Sequence, residues 1–233
     1  TGFLPRPNQA KMWSWQAVAR GCEGLLYFRY RGATKGAEQF CYGLLDADNV
    51  PRRRFFEAQA SFRSVKEYED VLTAPVKSDI AMLYAYDSLA SFRIQRQSVL
   101  LDVEREMKRL HGVFFKHGQM VDIIPARRDF SGYKLVVVPH MMINDEDFAR
   151  RLHDYVQRGG VVVVTYRTAV KDRDNNLVFG KVIPVDLNEL LGLYVEETES
   201  VQEFDCLPLA GEHKATAGVF RDMIVPTTAQ VLY

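Results

Sequence analysis

The chain has 233 residues, 47% of them hydrophobic, and thirty basic residues balance thirty acidic ones. That length allows one or two domains with real cores, and the balanced charge excludes a one-sign field that would draw in nucleic acid or an anionic membrane. Cys22, Cys41 and Cys206 form an odd, widely spaced set with neither a disulfide framework nor a CxxC metal motif, which suits a reducing, cytoplasmic setting.

In chain order, Pro5 and Pro7 open the sequence, and Trp13 and Trp15 precede a predicted short apolar helix over 16–24 (QAVARGCEG). Residues 24–28 (GLLYF) read as a strand that leaves through Arg29, Tyr30 and Arg31 into a loop presenting Glu38. From 51 to 72, Phe55, Phe56, Phe62, Val65, Tyr68 and Leu72 recur at roughly helical spacing, which predicts an amphipathic helix packed on something larger. The basic start of that helix, Arg52 to Arg54, is diluted by Glu57, Glu67 and Glu69 and reads as a solvated face. Thr73, Ala74 and Pro75 break the pattern, so the chain is expected to divide into domains at 1–72 and 73–233.

Beyond the break, strand and helix alternate. Strands are predicted at 80–84, 120–125, 133–139 and 161–165, with helices over about 99–117 and from Asn144 to the Gly159-Gly160 pair. The β-branched runs bounded by helices predict a parallel sheet covered on both faces, an open doubly wound α/β fold of the flavodoxin or class I glutamine amidotransferase type. After a polar turn at 172–176, a short helix is expected at 186–191 and an acidic edge strand at 195–204. The apolar runs are all far shorter than a membrane span.

Few residues invite chemistry. The first strand of the second domain ends in Tyr86, Asp87, Ser88, Leu89 and Ala90, a loop without the glycines that would let backbone amides cradle a phosphate. No cysteine stands at the end of the fourth strand to act as a nucleophile, and His140 reads as a packed or capping side chain. His111, His117 and His153 lie singly at helical positions, so neither a metal nor another cofactor is implied. Glu38 is the exception, because it lies in a loop flanked by Gly32, Gly36 and Gly43 directly after a strand. On position alone, a solvated loop acid and a functional acid are both open.

The run from Trp13 to Phe40, continued by Pro51-Arg52-Arg53-Arg54, resembles glycoside hydrolase family 42 β-galactosidases at the close of their (β/α)8 barrel. The later segments resemble that family's trimerisation domain: Ala85 to Ser88, Asp122 to Pro125, Ser131 to Pro139, Tyr155 to Gly160, and Gly192-Leu193. The resemblance implies a retaining hydrolase of β-D-galactosides built on two glutamates, both of which would fall before Thr1, so no catalytic residue is assigned within these residues. It further implies that Glu38 contacts galactose within an E-Q-x-H loop whose histidine is replaced here by Cys41. The implied assembly is a homotrimer, with no nucleic acid or membrane partner. Residues 228–233 resemble a strand late in the trimerisation domain, which implies a chain open at both ends, inactive alone, with apolar surface exposed in its first segment. The rival expectation is a non-catalytic flavodoxin-like module that binds a partner or a small molecule.

Overall fold

A computed structural model describes residues 3–201, 207–209 and 215–232. The chain falls into two units, Thr1–Lys77 and Ser78–Tyr233.

The first unit is helical. Helix α1 spans Gln9–Val18, and Gln9 Oε1 accepts a hydrogen bond from the Arg6 backbone N–H at 2.9 Å just before it. The helix thus includes both tryptophans and ends where the expected one was to run on, because Gly21 takes φ +85 and turns the chain. Helix α2 covers Arg53–Glu67, and a short α3 at Glu69–Leu72 follows a break at Tyr68. Trp15 of α1 meets Tyr68 edge to face at 6.1 Å, and the Ser14 and Tyr27 hydroxyls lie 2.6 Å apart. The strand expected at 24–28 is absent: those residues carry no ladder. A strand exists only through its neighbours, and among the described residues none lies alongside. Leu26 is 99% exposed and Phe28 74%.

The second unit is a four-stranded parallel sheet with helices against it. Strands β1 (Ile80–Tyr84), β2 (Val121–Pro125), β3 (Leu135–Val138) and β4 (Val161–Val164) lie in the order β2-β1-β3-β4, all neighbours parallel. Period-two alternation sorts the central strands between two cores. Ala81, Leu83, Val136 and Val138 pack with Phe148, Leu152 and Tyr155 of α6 (Glu146–Gln157). Ile80, Met82 and Val137 pack with Leu89 and Phe92 of α4 (Tyr86–Ile94) and with Val103 and Met107 of α5 (Val103–Lys116). The two long helices are capped by aspartates: Asp102 Oδ1 accepts from the Arg105 N–H at 3.0 Å, and Asp145 Oδ1 from the Phe148 N–H at 2.8 Å. Gly160 closes α6, because a Cβ there would fall 2.3 Å from the Tyr155 ring.

Three expectations change here. The residues read as a loop after β1 form helix α4, and the helix expected from about 99 starts only at Val103, where Asp102 caps it. Helix α7 is short, Asn188–Leu191, and leads into β5 (Leu193–Ser200), which pairs antiparallel with β8 (Phe220–Pro226). Between them β6 (Leu207–Leu209) pairs with β7 (Ala215–Ala217). The far end of the expected 195–204 strand and Cys206 lie outside the described residues. Residues 228–232 form no strand: the backbone N–H groups of Thr227, Thr228 and Ala229 all converge on the Gly192 carbonyl, at 2.8, 3.1 and 3.0 Å.

Candidate functional site

Glu38 sits on a loop that folds back on its own entry. The Leu44 N–H donates to Arg29 O at 2.8 Å, Leu45 N–H to Tyr30 O at 2.8 Å, and Gly32 N–H to Leu45 O at 3.1 Å. This clamp needs Gly43, whose place leaves no room for a side chain: a Cβ would lie 2.7 Å from Arg29 O, 2.8 Å from Arg31 C and 2.9 Å from Gly32 N. The exit of the loop is tied to α2, where Arg54 bonds Leu44 O at 3.3 Å and pairs with Asp46. Arg52 grips Asp48 at 2.5 Å; that hydrogen bond and one from the Val50 N–H hold the Asp48 carboxyl down at about 2.

Within this frame Arg29 Nη2 donates to Glu38 Oε2, and the Arg29 guanidinium lies 4.8 Å from the centre of the Phe28 ring. The pair is exposed on the glutamate side, with 56% of that side chain accessible, so Oε1 remains open as an acceptor. Such a carboxylate, oriented by one guanidinium, can take a hydrogen bond from an alcohol or sugar hydroxyl. The Cys41 backbone N–H donates to Glu38 O at 3.0 Å, so the two candidate residues share one turn; the thiol is free and exposed. Nearby, α2 and the loop enclose an apolar hollow of roughly 460 Å³ between Tyr30, Leu44, Phe55 and Phe62.

In the second unit His140 is buried at the end of β3, with Nδ1 3.1 Å from Thr165 Oγ1 and its ring 4.4 Å from that of Tyr166. Burial pushes the imidazole pKa down, and Nε2 has no protein partner. His111 and His153 lie on α5 and α6, and His117 caps α5; among the described residues no three His, Cys, Asp or Glu side chains gather to hold a metal. Also among them, no helix is long and apolar enough to cross a membrane.

One feature escaped the sequence reading, the burial of a lysine, while a second, a cleft, lies where the sequence placed the end of the first strand of this unit. Lys171 is buried, with Nζ 3.2 Å from Asn175 Oδ1 and 3.5 Å from Ser91 Oγ, and nothing in its local pattern signals burial. A cleft of roughly 470 Å³ opens at the C-terminal ends of β1 and β2, beside the start of α6. Met141 and Ile143, just beyond β3, also line it, so the cleft reaches the β1/β3 position where the strand order reverses and where ligand crevices of open α/β sheets form.

Residues 78–233 match the β-galactosidase trimerisation domain profile, and residues 2–68 match the β-galactosidase profile of glycoside hydrolase family 42. The chain therefore belongs to the family 42 β-galactosidases. Among curated relatives, β-galactosidase BgaA of Clostridium cellulovorans is 31% identical over 230 residues, which is 98% of this chain and 35% of that protein. Bga of Halorubrum lacusprofundi is 33% identical over 199 residues, covering 84% and 28%. The solved β-galactosidase of the psychrophilic Marinomonas ef1 superposes with a TM-score of 0.86 at 26% identity, over 95% of this chain and 34% of that one. The chain spans about a third of the length of the relatives it matches.

Proposed function

We propose that this chain supplies one rim of the galactose site and the assembly domain of a β-galactosidase acting on terminal, non-reducing β-D-galactosides. The observation that carries the reading is the Glu38 carboxylate, held by Arg29 on a loop clamped at Gly43, within the segment that matches the β-galactosidase profile. In this role Glu38 accepts a hydrogen bond from a galactose hydroxyl, and Cys41 stands where the family carries a histidine. A thiol is a much weaker hydrogen-bonding group than imidazole, so Cys41 relaxes that contact.

Hydrolysis proceeds by retention in this reading, with two carboxyl groups about 5–5.5 Å apart serving as nucleophile and acid/base. Both lie outside these 233 residues. Without them the chain has neither nucleophile nor proton donor, and a rim alone cannot position a substrate. Residues 1–72 belong to the barrel and 73–233 to the assembly domain; the profile matches, which stop at 68 and resume at 78, support this. The second domain is flavodoxin-like, a reading supported by its strand order and by helices packed on both faces. It brings subunits together as a homotrimer in the cytoplasm, without nucleic acid or membrane partners.

The purified chain assayed on a chromogenic galactoside is expected to show no turnover above a mock preparation, and clear turnover would overturn the assignment of roles. In an enzyme containing both glutamates, Glu38→Gln should lower kcat/KM by about 10- to 100-fold, the worth of one charged hydrogen bond.

A further inference from the structure

The cleft in the second unit has the chemistry of a binding site, not that of a packing fault. Its volume of roughly 470 Å³ falls within the usual range for small-ligand pockets, and it lies at the ends of adjacent parallel strands. Two guanidinium–carboxylate pairs stand in its wall: Arg151 with Asp147 at 3.1 Å and Arg173 with Asp145 at 2.8 Å. Arg151 is further fixed by the carbonyls of Ala126, at 2.8 Å, and Arg128, at 3.2 Å, so its remaining N–H groups are set in advance. Among the described residues, the side chains of Asp87 and Arg127 line the cleft without a hydrogen bond or ion pair to protein. Tyr86 stands 72% exposed at its mouth, braced edge-on by Tyr84 with ring centres 4.6 Å apart.

Charge decides what this cleft accepts. Three arginines face three aspartates, so the lining has no net charge to draw in an ion. Helices α4 and α6 both begin here, and each already carries acids in its first turn, Asp87 on one and Glu146 and Asp147 on the other. Those acids occupy the positive helix ends and repel phosphate. A neutral ligand rich in hydroxyls suits what remains: planar carboxylates and guanidinium groups pair with adjacent hydroxyls, and the electron-rich face of Tyr86 meets a C–H face.

We propose that this cleft binds a neutral mono- or disaccharide, with Tyr86 as the stacking platform and Asp87, Arg127 and the Arg151–Asp147 pair as the hydroxyl partners. The inference goes beyond the galactosidase reading and does not need it, since it concerns binding rather than hydrolysis.

The test is saturation-transfer NMR and calorimetry on the 233-residue chain with galactose, lactose and glucose, and with inorganic phosphate as the anionic probe. Binding of at least one sugar with a Kd of about 1–10 mM and none of phosphate is expected. Tyr86→Ala, at an exposed position, should weaken it about tenfold with an unchanged circular dichroism spectrum. Asp87→Asn provides a second variant with little change in volume, expected to weaken binding in the same direction. No sugar signal, binding of phosphate, or sugar binding indifferent to both variants would overturn the proposal. So would loss of binding in Glu38→Gln alone, which would place the sugar on the first unit's loop and leave the galactosidase reading standing.

Discussion

Gly43→Ala is the most informative single change in the first unit. The added methyl would need about 0.7 Å more room to reach ordinary contact with Arg29 O, and its other two close neighbours are also backbone atoms that cannot rotate aside. The loop must therefore open, at the expense of the three backbone hydrogen bonds that close it. At about 1 kcal/mol net for each bond, with a small crowding cost beside them, the expected destabilisation is about 3 kcal/mol. The chain's two tryptophans, Trp13 and Trp15, both lie in α1, so tryptophan fluorescence reports on the first unit. With a urea slope of about 1–3 kcal/mol/M, the fluorescence midpoint should fall by about 1 M or more. Gly24→Ala is the control, because a Cβ there meets nothing within 4 Å. If the midpoint for Gly43→Ala matched that of Gly24→Ala, the clamp would not hold Glu38 in place.

Other expectations concern both units. Leu152 is fully buried between α6 and the sheet, so Leu152→Ala should cost about 2–5 kcal/mol in unfolding followed by circular dichroism. His140 is buried beside Thr165 and Tyr166, with Glu106 as a weaker favourable charge, and burial lowers its pKa below 6.5. The unfolded chain then takes up the proton first, so this contribution is present above about pH 6.5 and is lost as pH falls. His140→Gln should flatten the decline in Tm between pH 7 and 5; an unchanged slope would show that other groups set it. Phe3, Leu26, Phe28 and Phe40 are all strongly exposed, so light scattering should show association rising with concentration, and a strict monomer throughout would contradict this.

The parallel sheet was legible because its central strands are buried on both faces and written in β-branched and large apolar residues, as in Val136 to Val138. Helix α4 was not, because polar residues occupy its inner face: Ser88 Oγ accepts from the Ile143 N–H at 3.0 Å, and Ser91 bonds Asn175 at 2.6 Å. Buried serines erase the apolar stripe on which helix recognition depends. The position of α1 was misjudged for a related reason, since Met12 and Trp13 are about half exposed and mark no inner face. Residues 24–28 carry strand composition but no partner, and composition alone cannot supply a ladder. Glu38 and Cys41 drew notice through their loop and through family resemblance. Neither source revealed the Arg29 contact or the need for glycine at position 43.

The central proposal is that residues 24–28, which carry no ladder here, become a strand when a complete family 42 barrel supplies neighbouring strands, with Glu38 on the loop beyond them. Amide hydrogen exchange at Leu25 to Phe28 tests this most directly, measured in the 233-residue chain and in a family 42 enzyme carrying the same segment behind a complete barrel. The account predicts near-unprotected exchange in the former and strong protection in the latter. Slow exchange of these amides in the 233-residue chain would show a self-sufficient first unit and contradict it.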